Sequence, residues 1–368
     1  MLEKSFRRFA KSLLVRVTTL EALYGDKLEK LHPIPTETVA TPESKHMSFN
    51  DIGERYLKRA TYTTPDIYTT VLHGVLYSPD HNVLLTKSRK LILDSFITGQ
   101  EPDLVSFSEA FRRPVKLIPG CSSIFRFHHP GYYHTLIVEP PRVHLLNQPE
   151  YADFDEIKLL CPNGLKKVEE FILPKLAPSN IKFTPVSTGY LYYLETVIFP
   201  SFVTKRSCGY LPSSYLKKFQ IAILPQRPRQ RKNRIFISRI KCVRPDGNGR
   251  HILNEEELLE VLKPHGFERY ELENLSISEI IELFYDAEIV IGAHGAGLAN
   301  LVFSDQVSVL EMHPRKFFTP TYYYLCKSLG HDYHHWCADI DLPHNTIDFK
   351  IDVSIVSEHI FDVFRLRQ

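Results

Sequence analysis

The chain has 368 residues, 43% of them apolar and 24% charged. That is too long for one ordinary core and suits two domains of a globular protein. Lys and Arg number 45 against 43 Asp and Glu, so the net charge is only +2, which argues against bulk nucleic-acid binding. No run of 18 apolar residues offers a transmembrane helix. Six cysteines (Cys121, Cys161, Cys208, Cys242, Cys326, Cys337) lie scattered with no C-x-x-C pair, so reduced thiols of a cytosolic protein are expected. The pairs His128-His129 and His334-His335 are adjacent, not spaced for one helix face, and H-E-x-x-H is absent, so no metal is expected.

The amino terminus is basic (Lys4, Arg7, Arg8, Lys11, Arg16), and Leu2, Phe6, Phe9, Leu13, Val17 and Leu20 fall on one helical face. This predicts an amphipathic helix, packed on its own protein or touching an anionic membrane surface. Residues 24–50 are rich in Pro, Thr and Ser and read as an irregular connection. Apolar runs over 66–93, split by Ser78-Pro79-Asp80, predict β hairpins. Short strands at 157–160 and 197–199 flank a helix over 163–173. A helix over 215–224 leads into Pro225 to Asn233, whose charge run reads as a solvated loop.

From Arg234 the pattern is regular. Strands are predicted at 234–238, 267–272, 288–292 and 308–312. Helices are predicted from Asn254, from Ser276 and over 321–329. Asn254 with Glu257, and Ser276 with Glu279, have capping-box spacing. Strands alternating with helices imply a doubly wound parallel sheet, whose ligands sit at the carboxyl ends of its strands. Arg239, His294 and His313 each follow such an end and can converge.

The most informative run is Ile289 to Asn300. A β-branched strand ends at Gly292; a turn with Gly295 and Gly297 encloses His294; an apolar helix follows. Glycine permits positive φ and close backbone approach. A helix start offers N–H groups and partial positive charge. Together they predict a site for an anionic group, most often phosphate.

Three blocks resemble glycosyltransferase family 61. One is Phe236-Ile237-Ser238-Arg239 followed by Arg250-His251-Ile252-Leu253-Asn254-Glu255. Another is the Gly292–Asn300 turn continuing to Val309-Leu310-Glu311. The third is Gly131-Tyr132-Tyr133-His134-Thr135-Leu136-Ile137-Val138-Glu139-Pro140-Pro141-Arg142. The blocks span roughly residues 120–340. Gly131, Thr135, Glu139 and Pro140 stand where the family often has Asn, an aromatic, Asp and Leu. The resemblance implies a GT-B-like α/β fold, two Rossmann-like doubly wound domains facing a cleft. It also implies an inverting, metal-independent mechanism and a nucleotide-diphosphate sugar donor, a UDP-sugar by preference. Asp153-Phe154-Asp155 has the letter of a D-x-D metal motif but no preceding apolar strand, and reads as a loop.

In such transfer, negative charge grows on the departing diphosphate and must meet fixed donors. Arginine suits phosphate through its forked N–H groups. Arg239 and Arg250 are the candidate clamps, with Asn254 and Asn300 beside them and the Gly295-Ala296-Gly297 backbone supplying further donors. His294 is expected to donate to a phosphate or across the turn. Glu311 is expected to accept from ribose hydroxyls or to pair with Arg315 or Lys316. The acceptor hydroxyl needs a base, with Glu139 the first candidate and His134 the next. In an α-helix their five-residue spacing would leave them about 140° apart.

These readings give an extension over 1–50, an acceptor-side domain over 51–205, a nucleotide-sugar domain over 206–345 and a tail over 346–368 that packs back. They predict a cytoplasmic glycosyltransferase with a carbohydrate or lipid-linked glycan acceptor, active in surface polysaccharide synthesis. It would touch the inner membrane face through residues 1–20. The alternative is a nucleotide- or sugar-phosphate-binding protein without transfer activity. An NAD-dependent oxidoreductase fits poorly, because the turn is H-G-A-G and not G-x-G-x-x-G.

Overall fold

The computed structural model describes residues 16–41, 61–96, 107–126, 131–204, 209–242, 249–314, 317–338 and 347–366. The chain forms two compact units, Met1–Thr36 with Thr64–Cys208, and Glu37–Thr63 with Gly209–Gln368. Most of the amphipathic helix expected over residues 2–20 falls outside the described residues. Within them, Val17–Thr18 is a strand paired parallel to Leu91–Ile92, so the helical reading fails at Val17. Among the described residues no helix is long and apolar enough to cross a membrane.

The first unit is built on a nine-stranded mixed sheet. Its central strands, Ile67–Ser78 and Leu191–Pro200, run antiparallel. Val115–Ile124, Ile157–Pro162 and Ile181–Val186 continue from the latter in parallel. This departs from the doubly wound pattern expected of both domains. The tight turn after Ser78 sends the chain straight back as the strand Val83–Leu85. A parallel pair needs a crossover of a dozen or more residues, and Lys167–Leu176 supplies a helical one between Ile157–Pro162 and Ile181–Val186. Leu72, Val75, Tyr77, Leu194, Val197 and Phe199 form the core on one side of the sheet. Phe125, Val143, Tyr151, Leu159 and Leu173 form a second cluster. Arg142, fully buried, donates to the carbonyls of Phe125, Pro200 and Ser201 and so closes the ends of two neighbouring strands.

The second unit carries an all-parallel sheet of β1 (Asn233–Ile237), β2 (Phe267–Tyr270), β3 (Ala287–Ala293), β4 (Ser308–His313) and β5 (Asp332–Cys337). The strand order is 2-1-3-4-5, a doubly wound arrangement whose winding reverses between β1 and β3. Five helices accompany it: α1 (Ser213–Ile223), α2 (Glu255–Leu262), α3 (Ile277–Tyr285), α4 (Thr321–Leu329) and α5 (Val353–Phe364). Phe236, Ile289, Ile291, Leu310 and Met312 pack with Leu258 and Leu262 of α2 and Val356 and Ile360 of α5. Side chains alternate along a strand, so Ile237, Gly292, Glu311 and His313 face the opposite side.

Ser276 and Glu279 form both halves of the expected capping box. Asn254 does not cap α2. Its amide instead exchanges two hydrogen bonds with the backbone of Ile351, pinning the approach to α5 against the start of α2. The basic run is the expected loop, with Arg231 and Lys232 exposed, but Arg227 and Arg229 are engaged. Arg227 pairs with Asp286 and Glu282, and Arg229 donates to the carbonyls of Tyr285, Ala287 and Asp305. These arginines clamp the turn from α3 into β3.

His331 is buried, its Nε2–H donates to the Leu301 carbonyl, and burial pushes its pKa down to about 4. The unfolded imidazole titrates near 6.5, so between these values the unfolded chain binds a proton that the folded chain refuses. Stability therefore falls as pH drops from about 6.5 toward 4, by up to about 1.4 kcal/mol per pH unit from this group. His331→Gln, which keeps a donor for the carbonyl, should flatten that slope in chemical denaturation. An unchanged slope would remove His331 as its source.

Candidate functional site

β3 ends at Ala293, and the next amide, His294 N–H, bonds to the Met312 carbonyl at 2.8 Å. None of the three turn glycines has a positive φ; Gly295 is extended at 179°. The expected reason for glycine is therefore replaced by close approach. A Cβ on Gly292 would stand 3.1 Å from Ile237 Cβ, and one on Gly297 would stand 3.1 Å from Leu272 and 3.2 Å from Ile237. Both glycines let the following segment, Ala296–Phe303, pack on the end of β1. That segment is wound as a 3-10 helix and not as α. Asn300 is buried, and its amide donates to the Gly297 carbonyl, inside the turn that it was expected to help with ligand binding. Ala296 is exposed and Gly297 half-buried, so the first-turn N–H groups stand at the surface.

Gly295 serves the arginine. A Cβ there would fall 1.7 Å from Arg239 Nη1, so the guanidinium lies directly against bare backbone. Arg239 follows β1. Its Nε donates to the Gly249 carbonyl at 2.9 Å and its Nη2 to Cys242 Sγ at 3.1 Å. Arg250 is a non-glycine residue at φ 57°, a sparsely populated conformation that tends to collect at functional sites. Its guanidinium lies 5.1 Å from the centre of the Phe317 ring, which in turn sits 5.3 Å from the His294 ring. Arg239, Arg250, Gly295 and His294 thus converge beyond the ends of β1 and β3. That is the switch point of the sheet.

Below them lies a buried polar layer. His294 Nδ1 is 2.5 Å from Glu311 Oε1, and Tyr333 donates to Glu311 Oε2 at 2.6 Å. His313 Nε2 is 3.3 Å from the same Oε1, and its ring stacks on that of His294. Burial, then the charges of Arg250 and Arg239, hold the His294 pKa well below its ordinary value. His294 is therefore neutral. Its Nδ1 is engaged by Glu311 within the protein, the second of the two roles expected of it from the sequence. Glu311 is corrected. It is fully buried and both oxygens are engaged, so it orients His294 and presents nothing to a ribose. Tyr333, Phe317 and the role of His313 were not singled out from sequence. The alternation of Glu311 and His313 on one face of β4 is the signal that could have found the histidine.

Glu139 and His134 belong to the first unit. Both are buried, at 1% and 7% exposed. The segment His134–Val138 is π-helical, and Glu139 N–H bonds to the His134 carbonyl at 2.9 Å. An i to i+5 bond marks a wider turn, so the two side chains stand closer in angle than the 140° that α winding requires. Single π turns concentrate at functional sites. Asp153 to Asp155 lies in the irregular segment after a short helix, Pro149–Ala152.

Comparison with curated proteins gives no match. Among solved structures, the chain is similar to the iron-containing dodecameric glycosyltransferase TibC from enterotoxigenic E. coli H10407. The identity is 11% over 69% of this chain and 78% of that one, with a TM-score of 0.29. The family model described as Glycosyltransferase 61 matches residues 102–315, more than half of the chain and including Glu139, Arg239, Arg250 and the His294 turn. The protein belongs to glycosyltransferase family 61.

Proposed function

We propose that the chain is an inverting, GT-B-like glycosyltransferase that takes a sugar from a nucleotide diphosphate, UDP by preference. The acceptor in this reading is a glycan or lipid-linked glycan of surface polysaccharide synthesis. The enzyme works in the cytoplasm, with residues 1–20 touching the membrane face. The observation that carries the donor assignment is the convergence of Arg239 and Arg250 on the Gly295 turn at the sheet's switch point. Ligands of open parallel sheets bind there.

The chemistry is one displacement. The acceptor oxygen forms a bond to the anomeric carbon as the carbon–oxygen bond to the diphosphate breaks. The configuration inverts, and the acceptor proton passes to Glu139, with His134 on the same turn as its partner. The leaving diphosphate gains charge, which the two guanidinium groups and the first-turn N–H groups of Ala296–Phe303 meet. No metal ion is required for that step in this reading. Among the described residues no carboxylate pairs with Arg239, which leaves that guanidinium's charge for an anion.

A thermal-shift screen of UDP, GDP, CMP and dTDP sugars, with and without chelator, should show stabilisation by a nucleotide diphosphate that survives chelation. No shift with any nucleotide would sink the donor site, and a strict divalent-ion requirement would remove the metal-free step. Arg239→Ala should weaken nucleotide binding by roughly 10- to 100-fold, in line with losing a charged hydrogen bond. Glu139→Gln should lower turnover by about 10²- to 10⁴-fold while nucleotide binding persists. Turnover indifferent to both Glu139→Gln and His134→Gln would favour a binding protein.

Gly295→Ala isolates the arginine contact. The new methyl meets the far end of the Arg239 side chain in an extended backbone position. The fold should hold, because the change strains no backbone, with the melting temperature lowered only by what the displaced Arg239 bonds contribute. Nucleotide affinity should fall about tenfold, or about 1.4 kcal/mol, as Arg239 is displaced. Unaltered affinity would show that this guanidinium does not touch the ligand.

A further inference from the structure

We propose that His294, Glu311 and His313 form a binding site for a borderline transition-metal ion of the Zn²⁺ class. Ligand atoms from the three residues lie within 4.8 Å of one another, and all three residues are buried. His313 Nε2 and Glu311 Oε1 stand 3.3 Å apart. That is the separation expected of two ligands sharing an ion at bond lengths of about 2.0–2.2 Å.

A second observation points to a ligand. His313 is wholly buried; its Nδ1 has no hydrogen-bond partner, and its Nε2 stands against Glu311 Oε1 at 3.3 Å without the geometry of a hydrogen bond. Buried polar groups are almost always satisfied, and an orphaned one calls for a water or an ion. Tyr333 fixes the remaining Glu311 oxygen from outside, as outer partners of metal-bound carboxylates do.

The donor set selects the ion. Two imidazoles and one carboxylate suit Zn²⁺, Fe²⁺ or Co²⁺, whereas Mg²⁺ and Ca²⁺ prefer an all-oxygen shell. A single carboxylate beside Arg239 and Arg250 would hold a hard dication poorly. This site is therefore independent of the metal-free handling of diphosphate argued above. Entry of the ion opens the His294–Glu311 hydrogen bond. Coordination through Nδ1 leaves the ring proton on Nε2, so the loaded turn offers a donor to any anion above it.

The test uses the full chain, stripped with chelator and dialysed against Co²⁺ or Zn²⁺. One ion per chain should remain, and the Co²⁺ form should show visible absorption from imidazole coordination. His313→Gln should lose that spectrum and weaken affinity at least 100-fold. A crystal of the Zn²⁺-loaded wild type, measured at the zinc edge, should place an anomalous peak among the three side chains. This second measurement stands whether or not His313→Gln folds. No retained ion, or a peak only at exposed histidines, overturns the proposal. Nucleotide binding by the stripped protein reads the donor site separately, so failure of either leaves the other standing.

Discussion

A guanidinium lying on bare backbone holds the candidate site together. Arg239 leaves the end of β1 and fills the space where a side chain at residue 295 would begin. The same group bonds the Gly249 carbonyl, next to Arg250. One side chain therefore joins three segments that are distant in sequence: the exit from β1, the loop before α2 and the turn after β3. Burying an arginine is costly unless its charge is answered. Among the described residues its partners are a carbonyl and a sulfur, neither a carboxylate. An anion arriving at this point would meet a charge already desolvated and oriented. That preorganisation is what makes fixed donors effective in transition-state stabilisation.

The layer beneath works through protonation. Burial raises the Glu311 pKa and lowers that of His294, while burial and the Glu311 charge keep the Tyr333 phenol protonated. The phenol therefore donates to Glu311, and the imidazole is held in one orientation by its contact with the other carboxyl oxygen. The same logic orients histidine in carboxylate–histidine pairs elsewhere. His294 is thus kept neutral by burial and by the charges of Arg250 and Arg239, so its charge state is tied to the same two groups that face the anion.

Much of the second unit was legible because its signals are local. Strand and helix periods alternate cleanly from Asn233 to Cys337, and Ser276 with Glu279 caps α3 as its spacing implies. The convergence of Arg239 with the His294 turn follows from placing each at a strand end, and Arg250 joins them from the loop before α2. What escaped is tertiary. Glycine spacing alone does not say whether a missing Cβ relieves a dihedral or makes room for Ile237 or Arg239. Asn254 precedes a helix and looks like a cap, but Ile351, far along the chain, claims its amide. Arg227 and Arg229 read as solvated charge until the α3–β3 turn supplies their acceptors. The first unit hid its mixed sheet because a short apolar run reads alike in either strand direction.

The helix that carries Glu139 and His134 shows how a local rule can mislead and still hold the explanation. The two residues are five apart, and an α-helix separates them. Pro140 and Pro141 lack N–H groups and their rings crowd the carbonyls four residues back, so α winding cannot pass them unchanged. The last amide before the prolines, that of Glu139, reaches back to the His134 carbonyl. The turn widens to a π turn, and the chain continues from Pro140 as a 3-10 helix with proline at its first position. The widening turns Glu139 toward the side of the helix that carries His134. The two prolines, which read as a break in the sequence, are what brings the carboxylate and the imidazole closer in angle than α winding allows.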